Sequence, residues 1–176
     1  FGSNHRGELV TNLEALGKTV YPLKYLRRSF NPLVNCLFIL ELLKLLKKLS
    51  PDVVHFSSTN AGVFGPIAVW LYKLNLHFSS LTSHLQPPRV IYTAHGFPFN
   101  EPGGLRKFIF TLTEKVGGWF RDLTICVSEF DRREAVSRGI TNPDKLVTVY
   151  NGIDTNNFKT LPRAEARKLF PVLPHD

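Results

Sequence analysis

Two histidines follow apolar runs and are themselves followed by small or polar residues. His95 comes directly after Val90–Ala94 (VIYTA) and precedes Gly96, while His55 lies in Asp52–Phe56 (DVVHF), ahead of Ser57-Ser58-Thr59-Asn60-Ala61-Gly62. A histidine can donate to a ligand hydroxyl or phosphate near neutral pH. A glycine beside it lets the backbone approach that ligand or take a positive φ. If the two runs are parallel strands, both histidines lie on the carboxyl edge of the sheet, where ligands of open α/β sheets bind, and they can form one shared site. The candidate contacts are then His95, Gly96 and Phe97 on one loop and His55, Ser58, Asn60 and Gly62 on the other. The second loop opens a helix whose free N–H groups favour phosphate or hydroxyl ligands. Plainer readings are that His95 bonds a neighbouring loop, that His55 points into the core, that the serines merely cap a helix, and that Phe97-Pro98-Phe99 packs rather than walls a pocket. A third segment, Leu146–Asp154 (LVTVYNGID), runs from a strand into Asn151-Gly152, a turn signal, with Asp154 two residues beyond.

Stepping along the chain, apolar runs alternate with helical patterns. A helix over Glu8 to Leu16 is stopped by Gly17, and Val20 to Leu23 reads as a short strand. Asn31-Pro32 is an N-cap and N1 pair for a helix running to Leu49, with Ser50-Pro51 ending it. Glu41, Lys44, Lys47 and Lys48 share one stripe of that helix and the rest is apolar, which predicts a helix largely buried against a sheet. Strands are expected at Asp52–Phe56, Val90–Ala94, Leu123–Val127 and Leu146–Tyr150, and helices at Gly62–Leu74, Leu105–Phe120 and from Ser128 to about Arg138. Gly117-Gly118 weakens the second of these helices, and Ser128 with Asp131 makes an imperfect capping box for the third. Residues 75 to 89 form a long polar connection. No alternating strand follows Asn151-Gly152, so a hairpin is disfavoured; the chain passes to Pro162 and a short basic helix over Arg163 to Phe170, which looks like an exit from the domain. Continuously apolar strands alternating with helices predict an α/β, Rossmann-like parallel sheet with helices on both faces.

The 176 residues, 43% of them hydrophobic, suit one domain and not two. The chain begins at Phe1 and has no methionine, so the sequence is read as a fragment. Its most apolar run, Cys36 to Leu46, is broken by Glu41 and Lys44 before the ~20 residues a membrane span needs. Cys36 and Cys126 sit in apolar surroundings and read as reduced core thiols, with neither a disulfide nor a metal site expected. The net charge of +8 implies an anionic partner: nucleic acid, anionic lipid or a phosphorylated substrate. No GxGxxG or GxxxxGK[ST] loop, GxSxG elbow or HExxH site occurs, and the basic residues are not interleaved with aromatics on one element as in a nucleic-acid module.

In this order and spacing the segments resemble the amino-terminal half of retaining GT-B glycosyltransferases of family 4. Asp52-Val53-Val54-His55 is similar to the family's DVVH strand, Tyr92-Thr93-Ala94-His95-Gly96-Phe97 to its YTxHGF segment, and Glu114 to the acidic residue on the helix after it. Val127-Ser128 with Arg132 resembles the VS strand end and its helix, and Asn151-Gly152-Ile153-Asp154 the NGID segment. The resemblance implies half of a two-domain enzyme that moves a sugar from a nucleotide sugar to a glycan or lipid-linked acceptor, with retention and without a metal or other cofactor, in cell-envelope polysaccharide or glycolipid synthesis. On this reading residues 1–158 are the acceptor-side domain without its first strand, and 159–176 begin the linker to a carboxyl-terminal domain that holds the donor. His95 is the catalytic candidate, and Asn151, Gly152 and Asp154 belong to the interdomain hinge. The expected setting is the cytoplasm, at the inner face of the membrane. One departure is that Ser57 and Asn60 stand where many relatives have a histidine and a lysine, which removes a cation from the loop after His55.

Two rival readings remain. A sugar-nucleotide 2-epimerase also pairs Rossmann-like domains, and the residues of the other half separate the two. A non-catalytic basic domain that docks on membrane or nucleic acid is the alternative of another class, and the salt dependence of DNA or vesicle binding tests it.

Overall fold

The computed structural model describes residues 8–27, 29, 31–78, 86–100, 103–157 and 161–169. Four strands, β1 (Val53–Phe56), β2 (Arg89–Ala94), β3 (Leu123–Cys126) and β4 (Leu146–Thr148), form one sheet in the order β1-β2-β3-β4 with every pair parallel. Helices α1 (Glu8–Ala15) and α2 (Pro32–Leu49) precede the sheet. Helices α3 (Thr59–Phe78), α4 (Gly104–Trp119) and α5 (Glu129–Ser137) connect its strands, and α6 (Arg163–Leu169) follows.

The register places Phe56, Val90, Tyr92, Ala94, Thr124, Cys126 and Leu146 on one face, and all are buried. Each crossover steps in the same direction, so right-handed connections put α3, α4 and α5 over that same face. The other face carries Val53, His55, Ile91, Thr93, Leu123, Ile125 and Val147, none of them buried. The Rossmann-like α/β class predicted from the strand pattern is therefore present. Helix cover on a second face is not evident over the described strands.

Capping chemistry sets the helix ends. The Asn31 carboxamide oxygen accepts from Leu33 N at 2.9 Å with Pro32 in the first turn, and Ser50 closes α2 in the left-handed region at φ 43°. Ser128 Oγ accepts from Asp131 N at 3.1 Å, and its hydroxyl donates to Asp131 Oδ2 at 2.6 Å, so Asp131 closes the cap on the serine hydroxyl rather than on its backbone N–H. Gly139, at φ +58°, ends α5.

Four expectations change. Residues 20–23 are not a strand: the chain there lies along α2, where the Glu41 carboxylate accepts from Lys24 N at 2.9 Å and Tyr25 N at 3.0 Å, giving those N–H groups a partner without a sheet neighbour. Helix α2 packs on α3 rather than on the sheet, burying Asn35, Phe38, Leu42 and Leu46 at helical spacing. Helix α3 begins at Thr59 rather than Gly62, which places Pro66 inside it. Gly117 and Gly118 do not interrupt α4. A Cβ on Gly117 would lie 3.0 Å from the Val63 backbone, and one on Gly118 would collide with the Ile140 carbonyl, so both are glycine because neighbouring backbone passes too close for a side chain.

Candidate functional site

The parallel register brings the ends of β1 and β2 to one edge of the sheet, as the sequence pattern requires. His95 is exposed just past the end of β2, and Gly96 takes φ +124° with open space where a Cβ would be. The backbone turns sharply there and leaves the imidazole outside. The residues that follow are anchored: Phe97 and Phe99 stack at 4.8 Å and are buried, the 3₁₀ turn Pro98–Asn100 follows, and the Asn100 amide donates to Asp131 Oδ1 at 3.1 Å. Arg138 lies 4.9 Å from the Phe99 ring centroid. An exposed histidine is thus mounted on a loop held by two buried rings and a hydrogen bond to α5.

His55 is also exposed and does not point into the core. Its Nε2 lies 2.8 Å from Thr93 Oγ1, on the same sheet face, which ties the β1 imidazole to the strand that carries His95. Ser57 and Ser58 are exposed, and the Ser58 carbonyl accepts from Gly62 N at 2.7 Å in the first turn of α3.

Three residues expected to face a ligand do other work. The Asn60 amide donates to the carbonyls of Arg27 at 2.7 Å and Ser29 at 3.4 Å, fastening the segment before α2 to the start of α3. Gly62 is buried under the Tyr92 ring, where any side chain would collide. Phe97 packs inward, so its ring forms no exposed wall. In the hinge candidate, Asn151, Gly152 and Asp154 are exposed; Gly152 lacks the positive φ of a tight Asn-Gly turn, and Asp154 Oδ1 accepts from Asn156 N at 3.0 Å. Beyond Thr148 the chain has no regular structure until the 3₁₀ turn Thr155–Asn157, and the division expected at 158/159 falls outside the described residues.

Beneath this edge lies a buried polar centre that the sequence reading did not assemble. Pro66 has no N–H, so within α3 the carbonyl of Gly62, four residues earlier, lacks its helical donor. Arg121 supplies the replacement, donating from Nε at 3.0 Å and from Nη2 at 2.7 Å, while Nη2 also pairs with Glu114 at 2.8 Å. The guanidinium lies 4.1 Å from the Tyr92 ring centroid, and both charged side chains are fully buried. Burial pushes the Glu114 carboxyl above its ordinary range while Arg121 pulls it back. Burial likewise raises the Tyr92 phenol, with Glu114 adding to the rise and a hydrogen bond to Thr59 opposing it. Glu114 Oε1, Arg121 Nη1 and Thr124 Oγ1 have no hydrogen-bond partner among the described residues. The assembly fixes the first turn of α3, and hence the loop after His55. Its sequence signals were Glu114, singled out by the resemblance without a partner, and a proline inside a helical run with no visible donor for the carbonyl behind it.

Farther along the edge, Glu129 bonds Arg132 at 2.9 and 2.7 Å and Thr148 of β4 at 2.8 Å, and these bonds, Arg132 first, draw its carboxyl down to about 2. Among the described residues no three His, Cys, Asp or Glu side chains are grouped to hold a metal.

A four-stranded parallel sheet with its crossover helices, and exposed histidines at the ends of β1 and β2, defines the class: a Rossmann-like α/β domain. The sequence matches Glycosyltransferase Family 4 over residues 5–157, and the chain belongs to that family. It is 31% identical over 134 residues to the O-antigen biosynthesis glycosyltransferase WbnH of Escherichia coli, covering 76% of this chain and 34% of that protein. It is 27% identical over 121 residues to the E. coli UDP-Gal:alpha-D-GlcNAc-diphosphoundecaprenol alpha-1,3-galactosyltransferase, covering 68% and 28%. The Anabaena Alr3699/HepE structure in complex with UDP and glucose superposes with a TM-score of 0.60 at 18% identity, over 96% of this chain and 41% of that one. The chain thus spans about a third of the length of the curated relatives it matches.

Proposed function

We propose that the chain is the acceptor-side half of a retaining glycosyltransferase that moves a sugar from a nucleotide sugar to a glycan or lipid-linked acceptor in cell-envelope polysaccharide synthesis. The observation that carries this reading is the mounting of His95, exposed beside a positive-φ glycine on a loop anchored by the buried Phe97 and Phe99. Such a histidine can hydrogen-bond a sugar hydroxyl without reorganising, and it stabilises developing charge near the anomeric carbon when the donor is brought over it. His55, Ser58 and Gly96 line the same edge as acceptor contacts, while Asn60, Gly62 and Phe97 hold the loops that carry them. The donor nucleotide binds mainly to a second domain, joined after residue 158 through the Asn151–Asp154 segment, and no other cofactor takes part. Relatives named for O-antigen synthesis and for transfer to a diphosphoundecaprenol-linked sugar support an envelope acceptor.

The enzyme works in the cytoplasm at the inner membrane face, its +8 charge resting on anionic headgroups and not on nucleic acid. No helix among the described residues is long and apolar enough to cross a membrane.

The test joins the chain to its donor-binding half and compares His95→Ala with the parent. Turnover falls by ~10² or more while stability moves by less than ~1 kcal/mol; unchanged turnover removes His95 from the reaction. Calorimetry of the chain alone against uridine and guanosine diphosphate sugars gives at most millimolar binding, and micromolar affinity would relocate the donor site to this half.

A further inference from the structure

Helix α4 is built the wrong way round for a helix that serves only its own domain. Its buried residues are Glu114, Gly117 and Gly118. Phe110 packs against the core and Val116 is half-buried, but five other large apolar residues face solvent: Leu105 is 75% exposed, Phe108 65%, Leu112 51% and Trp119 72%, with Ile109 also exposed. At 3.6 residues per turn these five fall within an arc of about 100°, opposite the buried side. Arg106 borders that stripe on one side and Lys115 on the other. Soluble monomers seldom leave so many large apolar side chains contiguous and uncovered.

The charges beside the stripe point to what covers it. The first turn of α4 carries Arg106 and Lys107, no acidic residue and no side-chain cap, so two cations sit at the end of the helix whose own dipole is positive. Among the described residues neither they nor Lys115 form an ion pair. An anionic surface suits the stripe and the cations beside it together: phosphates meet Arg106, Lys115 and the N-terminal turn, acyl chains meet the stripe, and Trp119 sits at the boundary that indole rings favour, while Lys107 lies on the opposite side of the helix.

We propose that α4 lies in the plane of an anionic bilayer with its outward stripe inserted at the headgroup–acyl boundary. This rests on the membrane reading above and names the element that makes the contact. The exposed lysines of α2 add attraction without being the inserting element, and Arg121, which is buried, takes no part. Helix α4 begins nine residues after His95, so insertion sets the candidate acceptor edge beside the lipid surface where a lipid-linked sugar would be met.

The chain has two tryptophans, so Trp70→Phe leaves Trp119 as the sole reporter. With phosphatidylglycerol-containing vesicles its emission shifts to the blue and is quenched by lipids brominated near the headgroup end of the acyl chain. Phe108→Ser with Leu112→Ser, both exposed, leaves the melting temperature unchanged and weakens vesicle partition ~10-fold or more, because interfacial binding scales with buried apolar area. Binding that fades with salt but gives no quenching and survives the double serine variant overturns insertion while leaving electrostatic docking intact. Absence of binding to anionic vesicles overturns both. Self-association abolished by the serine variant, without lipid binding, assigns the stripe to a second copy of the chain and also overturns the proposal.

Discussion

The carboxyl edge of the sheet and the layer just beneath it use polar side chains in opposite ways. At the edge, His55 and His95 are exposed, and only His55 has a described side-chain partner, Thr93. Beneath it, Glu114 and Arg121 are fully buried and commit their bonds to one another and to Gly62. The upper groups are kept available, and the lower ones hold each other and the Gly62 carbonyl. A histidine on the surface can thus be changed at little structural cost, whereas removing one partner of a buried pair strands the other.

The sharpest way to break the contrast is Arg121→Ala. It leaves Glu114 buried without its cation and returns the Gly62 carbonyl to its orphaned state, so the urea midpoint should report a loss of about 3–5 kcal/mol. A loss under about 1 kcal/mol would mean the layer is not what fixes α3. His95→Ala should do the reverse, as the turnover comparison above specifies. Between them lies Gly118→Ala, whose added methyl meets the Ile140 carbonyl and should cost about 1–3 kcal/mol by thermal melt.

Glu129 sharpens the comparison through pH. Its folded value is depressed from 4.5 to about 2, so its contribution to stability is complete above pH 4.5 and is lost as pH falls toward 2. Glu129→Gln should lower the melting temperature most at neutral pH and least near pH 2, flattening that part of the acid limb of the profile; an unaltered acid limb would deny the link to Thr148 and Arg132. The smallest effect concerns the thiols. Cys126 is buried and its thiol is pushed up to about 11, chiefly by burial, whereas Cys36 is exposed. One cysteine per chain should react with a maleimide at neutral pH before unfolding and the second only after it, as intact mass would record.

The sheet was legible because parallel, buried strands write themselves as continuous apolar runs: β1, β2 and β3 match their predicted segments to within a residue at each end, while β4 stops two residues early. The exposed histidine at the end of β2 followed from the same pattern. What escaped depended on pairs far apart in sequence. Glu41 looked like one more polar residue on a helix stripe, yet it receives the backbone N–H groups of Lys24 and Tyr25, directly after the segment that hydropathy alone made a strand. Arg121 gave no local sign of burial; its place follows from the Gly62 carbonyl that Pro66 leaves without a donor, 59 residues earlier in the chain. The outward stripe of α4 was equally hidden, since periodicity shows that a helix has an apolar side but not which way that side faces.

The bond from Arg121 to Gly62 spans 59 residues and carries a consequence for how the chain is made. During synthesis α3 leaves the ribosome with its first turn incomplete, and the side chain that completes it emerges only after β2 and α4 have followed, some seconds later at ordinary elongation rates of roughly 5–20 residues per second. Until then the start of α3 is held by the Asn60 amide on Arg27 and Ser29, while the Gly62 carbonyl lacks its donor. The nascent domain therefore cannot close stepwise from its amino terminus; it waits for α4 to arrive and closes around the arginine as a unit.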